Sequence, residues 1–274
     1  MESIDYTVIG GNGFIGSHIV KDLRTRGFKV WVPERGTAGV FNKQLGVVIY
    51  AAGFGDCNHD PYKVFESNLG YLVNVVKDSS FKKLIYLSST RVYMNQNSSL
   101  ESSNLKVIAS DSRALFNLTK LTAENLVLSL TKQSIIIRPS NVYGLALNSP
   151  LFLPSIVRDA IQKKEVNMYV RRDYAKDYVS VLDLASAIYD LSQKNDLHHR
   201  IFNVASGRNV TAEQIANVLK DKTDCKIIWQ GVDSVETFPE TDIRNVTTEI
   251  KYFPKDVLED LSEMIDSFKT QLGY

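Results

Sequence analysis

The run "VIGGNGFIGSHIV" (8–20) decides the fold. It sets Gly10, Gly13 and Gly16 three apart, directly after the apolar stretch "YTVIG" (6–10) and at the opening of the helical stretch "FIGSHIVKDLRTRG" (14–27). Each glycine meets a separate steric demand: Gly10 a tight turn, Gly13 the close approach of a pyrophosphate, Gly16 close packing of helix on strand. The first helical turn, with Phe14 and Ile15, then offers unpaired N–H groups and the positive end of its dipole to phosphate. Glycines alone are a weak signal. A strand before them and a helix after them favour a dinucleotide loop over a turn chosen only for backbone freedom. A second strand, "KVWVP" (29–33), leads to Glu34, at the distance expected of a carboxylate that accepts hydrogen bonds from the adenosine ribose. Glu34 favours NAD, because a carboxylate repels a 2′-phosphate. The neighbouring Arg35 would instead pair with that phosphate and admit NADP.

Working outward, short apolar runs alternate with amphipathic segments. "LGVVIYAAG" (45–53), "KKLIYLSS" (82–89) and "SIIIRPS" (134–140) read as strands, while 61–79 and 111–131 read as helices. Strands that are apolar throughout and separated by helices build a parallel sheet covered on both faces, hence a doubly wound α/β (Rossmann) fold. After Gly144 the pattern loosens. Residues 1–144 are read mainly as the dinucleotide-binding domain, and 145–274 mainly as a small α/β substrate lobe with some strands returning to the first sheet. In the lobe, "NMYVRRDYAKDYVSV" (167–181) reads as extended, "TAEQIANVLKDK" as a helix capped by Thr211, and the last helix starts near Pro254.

The composition excludes several classes. A net charge of +1 over 274 residues gives no electrostatic footprint for nucleic acid or an anionic membrane. No apolar run is long enough to span a bilayer, and no signal-peptide pattern opens the chain. Cys57 and Cys225, the only cysteines, suit a reducing compartment, so a cytoplasmic location is expected. The four histidines make no metal-ligand spacing with cysteines or carboxylates, and no metal site is expected.

Seven segments, in order, resemble the extended short-chain dehydrogenase/reductases, in particular the NAD-dependent epimerase/dehydratase branch that acts on nucleotide sugars. "GGNGFIG" is similar to the family's phosphate loop, "YAAG" (Ala51, Ala52, Gly53) to the strand end lying along the cofactor, and Asn68 to the asparagine that follows it. "LSSTRVY" (87–93) resembles its S-S-x-x-V-Y segment, with Ser89 at the catalytic serine/threonine and Thr90 beside it. "FNLTK" (116–120) resembles the helix that carries a catalytic tyrosine and, four residues on, the lysine that binds the nicotinamide ribose, here Lys120. "RPSNVYG" (138–144) is similar to the segment bordering nicotinamide and substrate, with Pro139 and Asn141. "KDYVSVLDLASAI" (176–188) and "IFNVASG" complete the set. The resemblance implies hydride transfer on a nucleotide-linked sugar by an epimerase, dehydratase or ketoreductase. It further implies substrate contacts from Tyr93, Asn141, Arg172 and Lys176, and a homodimer through the helices at 61–79 and 111–131.

Two departures stand out. Where the tyrosine belongs, the chain has Phe116, which neither donates nor accepts a proton. As a residue alone it reads as a core phenylalanine beside Leu115, Leu118 and Leu121; within the motif it reads as a replaced tyrosine. Ser89, Thr90, Tyr93, Tyr143 or a water held by Lys120 remain to take the proton. Barely a dozen residues separate Glu34 from "VVIYAA", where the family fits another helix and strand. Together these departures keep a second reading open: a redox-silent dinucleotide-binding relative that acts as a sensor or assembly partner.

Overall fold

The structure is a computed structural model and describes residues 3–34, 43–130, 133–149, 151–231 and 236–274. Arg35 lies outside them. In chain order the first half holds β1 (Tyr6–Ile9), α1 (Phe14–Thr25), β2 (Val30–Trp31), β3 (Val47–Tyr50), α2 (Pro61–Phe65), α3 (Tyr71–Asp78), β4 (Lys83–Leu87), α4 (Ala114–Leu128) and β5 (Ile135–Pro139). The second half adds β6 (Asn141–Tyr143), α5 (Phe152–Gln162), β7 (Glu165–Met168), β8 (Ala175–Ser180), α6 (Val181–Gln193), β9 (Ile201–Val204), β10 (Asn209–Thr211), α7 (Ala212–Thr223), β11 (Lys226–Trp229), α8 (Arg244–Glu249) and α9 (Val257–Leu272).

Six strands form one sheet in the order β2-β1-β3-β4-β5-β9, with every pairing parallel. Alternate residues serve opposite faces. Ile49, Ile85, Leu87, Ile135 and Ile137 pack with Ile19 and Leu23 of α1 and Leu184 and Ile188 of α6. Val48, Tyr50, Leu84, Tyr86 and Ile136 pack with Leu72 and Val75 of α3 and Ala123 and Val127 of α4. The doubly wound parallel fold is therefore present, and the strand returning from the second half is β9. Strand β1 lies between β2 and β3, so the chain reverses direction across the sheet there. The crevice at the carboxyl ends of β1 and β3 is the switch point at which such sheets bind ligands. Among the described residues no further strand stands beyond β2.

A separate apolar core joins α5, α7 and α9 to the parallel pair β7 and β11. The sheet β10-β8-β6 bridges towards the first lobe. Thr211 caps α7 in a reciprocal capping box with Gln214. Two regions depart from the sequence reading. The run at 167–181 is broken by a turn, with the Tyr174 amide donating to the Arg171 carbonyl (3.2 Å). The helix at 61–79 contains a π-helical turn, Glu66–Gly70, between α2 and α3. Buried tyrosines supply the turn's carbonyls with donors: Tyr50 donates to Ser67 O (2.8 Å) and Tyr86 to Asn68 O (3.0 Å). Among the described residues no helix is long and apolar enough to cross a membrane.

Candidate active site

The glycine loop has the geometry its spacing demands. Gly10 sits at φ +81°, and a Cβ there would lie 2.6 Å from the Ala52 amide nitrogen, so only glycine fits against the end of β3. At Gly16 a Cβ would fall onto the Gly10 carbonyl, which is how closely α1 packs on the loop. Gly13 precedes α1 and supplies no side-chain cap, so the first-turn N–H groups of α1 keep their hydrogen-bonding capacity for a ligand. A pyrophosphate fits this cradle by both shape and polarity. Glu34 is exposed just beyond β2.

Beside the loop opens a cavity of about 600 Å³, walled by both lobes. It brings together Phe14, Ile15, Ala51, Ala52, Gly53, Ser89, Thr90, Phe116, Lys120, Pro139, Asn141 and Lys176 from the sequence reading. Helix α4 aims two of these. Residues four apart share a helix face, so Phe116 (9% exposed) stands on the wall with the Lys120 ammonium 5.8 Å from its ring centroid. Lys120 donates to the Leu87 carbonyl (2.8 Å), and a Cβ on Gly53 would be 3.4 Å from its Nζ. Burial depresses the Lys120 pKa to about 7, with Glu124 pulling the other way. Phe116 is thus largely buried and at the same time lines the cavity wall.

The remaining groups sort by geometry. Ser89 accepts the Arg91 amide (3.1 Å) and caps the short 3₁₀ turn Thr90–Tyr93 while still facing the cavity. Asn141 donates to the Asp177 carbonyl (2.8 Å) at the cavity edge. Lys176 lies 3.9 Å from Glu236. Burial lowers its pKa to about 8; Glu236 opposes this, and Arg91 and Arg113 add to it.

Three expected ligand contacts are placed elsewhere. Tyr93 is 1% exposed; it donates to Asn203 (2.9 Å) and accepts from Arg138 (2.6 Å), so its hydroxyl is committed to a buried network. Burial, opposed by Arg138, pushes its pKa up to about 12. Asn68 is fully buried and clamps the Phe54 backbone, accepting from its N–H and donating to its carbonyl (both 3.1 Å). It positions the loop after β3 and does not line the cavity. Arg172 pairs with Glu213 on the surface (3.0 Å) and stacks on Trp229. Tyr143, a candidate proton acceptor, donates to Asp260 (2.9 Å).

Wall residues that the sequence did not single out include Arg91, Arg113, Tyr174 and Phe238. Arg91 pairs with Asp111 (3.0 Å) and Glu236 (2.9 Å), and Tyr174 donates to Glu236 (3.0 Å). Only Arg113 carried a signal, since three residues before Phe116 is the same face of α4.

A glycine-loop cradle at the switch point of a parallel sheet, a buried lysine on its wall and a second lobe closing the cavity define a dinucleotide-binding fold with a second lobe attached. The model of the NAD dependent epimerase/dehydratase family matches residues 6–205, and the chain belongs to that family. UDP-glucose 4-epimerase of Mycoplasma genitalium is 23% identical over 94% of this chain and 86% of its own. The dTDP-D-glucose 4,6-dehydratase of Dictyostelium discoideum is 23% identical over 77% of this chain, which spans only 61% of that relative. The solved structure of MoeE5 in complex with UDP-glucose and NAD superposes with a TM-score of 0.85 at 18% identity, covering 98% of this chain and 99% of that one.

Proposed function

We propose that this protein binds NAD and alters a nucleotide-linked sugar by transient hydride transfer, as an epimerase, dehydratase or ketoreductase. The observation that carries the reading is the single cavity in which the uncapped start of α1, Lys120 and the second-lobe Lys176 meet. NAD, when bound, accepts a hydride from a sugar carbon. The chain's own residues do the rest. Gly10, Gly13 and Gly16 leave room for the pyrophosphate, Glu34 takes the adenosine ribose, Lys120 the nicotinamide ribose, and Lys176 the substrate's phosphates. With Tyr93 and Tyr143 committed to Asn203 and Asp260, the groups left to receive the sugar hydroxyl proton are Ser89, Thr90 and Lys120. Residues 1–144 with the returning α6, β9 and α8 form most of the dinucleotide-binding unit, and most of the rest forms the substrate lobe.

Phe116 on the wall favours one further reading, a redox-silent relative that keeps the dinucleotide as a sensor or assembly partner. The two separate by experiment. Denaturing the purified protein and identifying released nucleotide by mass spectrometry should yield stoichiometric NAD, and a nucleotide-sugar screen should then yield turnover. NAD without turnover on any nucleotide sugar supports the sensor. No release and no binding of added NAD or NADP sinks both. A homodimer through α2, α3 and α4 follows from their exposed apolar side chains, Tyr62, Phe65, Val73 and Leu118. Free Cys57 and Cys225 suit a cytoplasmic protein.

A further inference from the structure

Arg113 lies at the start of α4, on the cavity wall, with its guanidinium carbon 4.7 Å from the centroid of Phe116. Its side chain crosses Gly55 so closely that a Cβ there would be 2.8 Å from Nη2. The arginine is therefore held by an aromatic ring on one side and a glycine on the other, with its charged end towards the cavity. The carboxylates that face it are already used. Asp111 and Glu236 both bind Arg91, and Glu236 also accepts from Tyr174. Among the described residues Arg113 makes no ion pair, and its buried Nε has no hydrogen-bond partner. Burial, reinforced by Arg91, disfavours its charge, so an incoming anion would relieve a cost the protein already carries.

We infer that Arg113 recognises a carboxylate on the sugar itself, so that the nucleotide-linked substrate is a hexuronate and not a neutral hexose. This rests on the nucleotide-sugar reading above. The position argues for the sugar over the diphosphate. Arg113 stacks on Phe116, whose ring lies 5.8 Å from the ammonium of Lys120, and so stands on the reacting side; Lys176, near enough to feel the Arg113 charge, reaches in from the second lobe with Tyr174 and Phe238. A planar guanidinium is also the group that binds a carboxylate through two parallel N–H donors.

The test is calorimetric binding, with NAD present, of two matched pairs: UDP-glucose against UDP-glucuronate, and GDP-mannose against GDP-mannuronate. The wild-type protein should bind the uronate of one pair at least about tenfold tighter than its neutral partner. Arg113→Gln should bring the two within about twofold, and Arg113→Lys should keep part of the preference. Thermal unfolding checks that the variants fold, and the wild-type preference stands as a test without them. Equal affinity for neutral and acidic sugars overturns the inference, as does a uronate preference that survives Arg113→Gln. An equal loss of both sugars in Arg113→Gln assigns the residue to the diphosphate and overturns it too. These outcomes leave the nucleotide-sugar reading intact; failure of all four ligands to bind overturns the inference alone, and only failure of the full nucleotide-sugar screen removes both.

Discussion

Phe116 and Lys120 stand on one face of α4 at the cavity wall, where the proposed hydride transfer would take place. A phenyl ring cannot move a proton, so whatever turnover exists runs without the group best placed for it. Loss of one acid/base group typically costs a hundredfold to ten-thousandfold. Phe116→Tyr should therefore raise the single-turnover rate of NAD reduction by a nucleotide sugar, by about a hundredfold, as read from NADH absorbance. An unchanged rate in an active enzyme would remove Phe116 from the reacting centre. Lys120 adds a pH signature. Its folded pKa of about 7 lies below the roughly 10.4 of an unfolded lysine, so between those values the unfolded chain holds a proton the native state has released. Stability from this residue therefore rises with pH across that window. The stability of wild type relative to Lys120→Met should climb by up to about 4 kcal/mol from pH 7 to pH 10 in denaturant titrations. A flat difference would mean the amine is charged throughout.

Helix α4 owes its placement to the groups behind the cavity. Arg138 on β5 binds Glu124 of α4 through Nε (2.9 Å) and Nη2 (2.5 Å), and reaches Tyr93, which reaches Asn203 on β9. Both charges are about 3% exposed. The pair's net worth over an apolar pair is small, but removing one partner strands the other. Glu124→Ala should cost about 3–5 kcal/mol in chemical denaturation; a loss below about 1 kcal/mol would show that water reaches Arg138. The π-helical turn has a comparable logic. The extra residue in the turn rotates Asn68 inward, where its amide holds Phe54 and also donates to Thr119 of α4 (3.2 Å). Asn68→Leu leaves part-buried backbone groups of Phe54 without their partner, at about 1–3 kcal/mol. It should also weaken NAD binding measured by calorimetry, because the strand end beside the glycine loop loses its anchor. Unchanged affinity would limit Asn68 to stability.

At the scale of the molecule, two apolar cores meet across a shared cavity, and neither lobe builds that cavity alone. The first supplies the phosphate cradle and Lys120; the second supplies Tyr174, Lys176 and Phe238. One outer surface remains conspicuously apolar. Tyr62 (86% exposed), Phe65 (50%) and Leu118 (49%) stand on α2 and α4, which pack side by side. Monomeric proteins seldom leave such patches bare. Light scattering after size exclusion should report a dimer at micromolar concentration, and Leu118→Glu should convert it to monomer; a wild-type monomer would overturn the dimer.

The sequence by itself determined whatever local spacing encodes. Glycines three apart after a strand, apolar runs alternating with helices, and Phe116 four before Lys120 all act through neighbours along the chain, so the sheet, the cradle and one wall of the site were legible. Tertiary structure decided which polar groups remain for a ligand. Tyr93 looked like a substrate contact until its partner proved to be Asn203, 110 residues away, and Arg91 meets Glu236 across 145. Arg172 was a basic residue in a promising segment, and the fold places it on the surface beside Glu213 and Trp229, away from the cavity. A hydroxyl or a guanidinium is available only if no buried partner claims it. Hydrogen-bond partners of that kind are fixed by packing between distant segments, which no local pattern records.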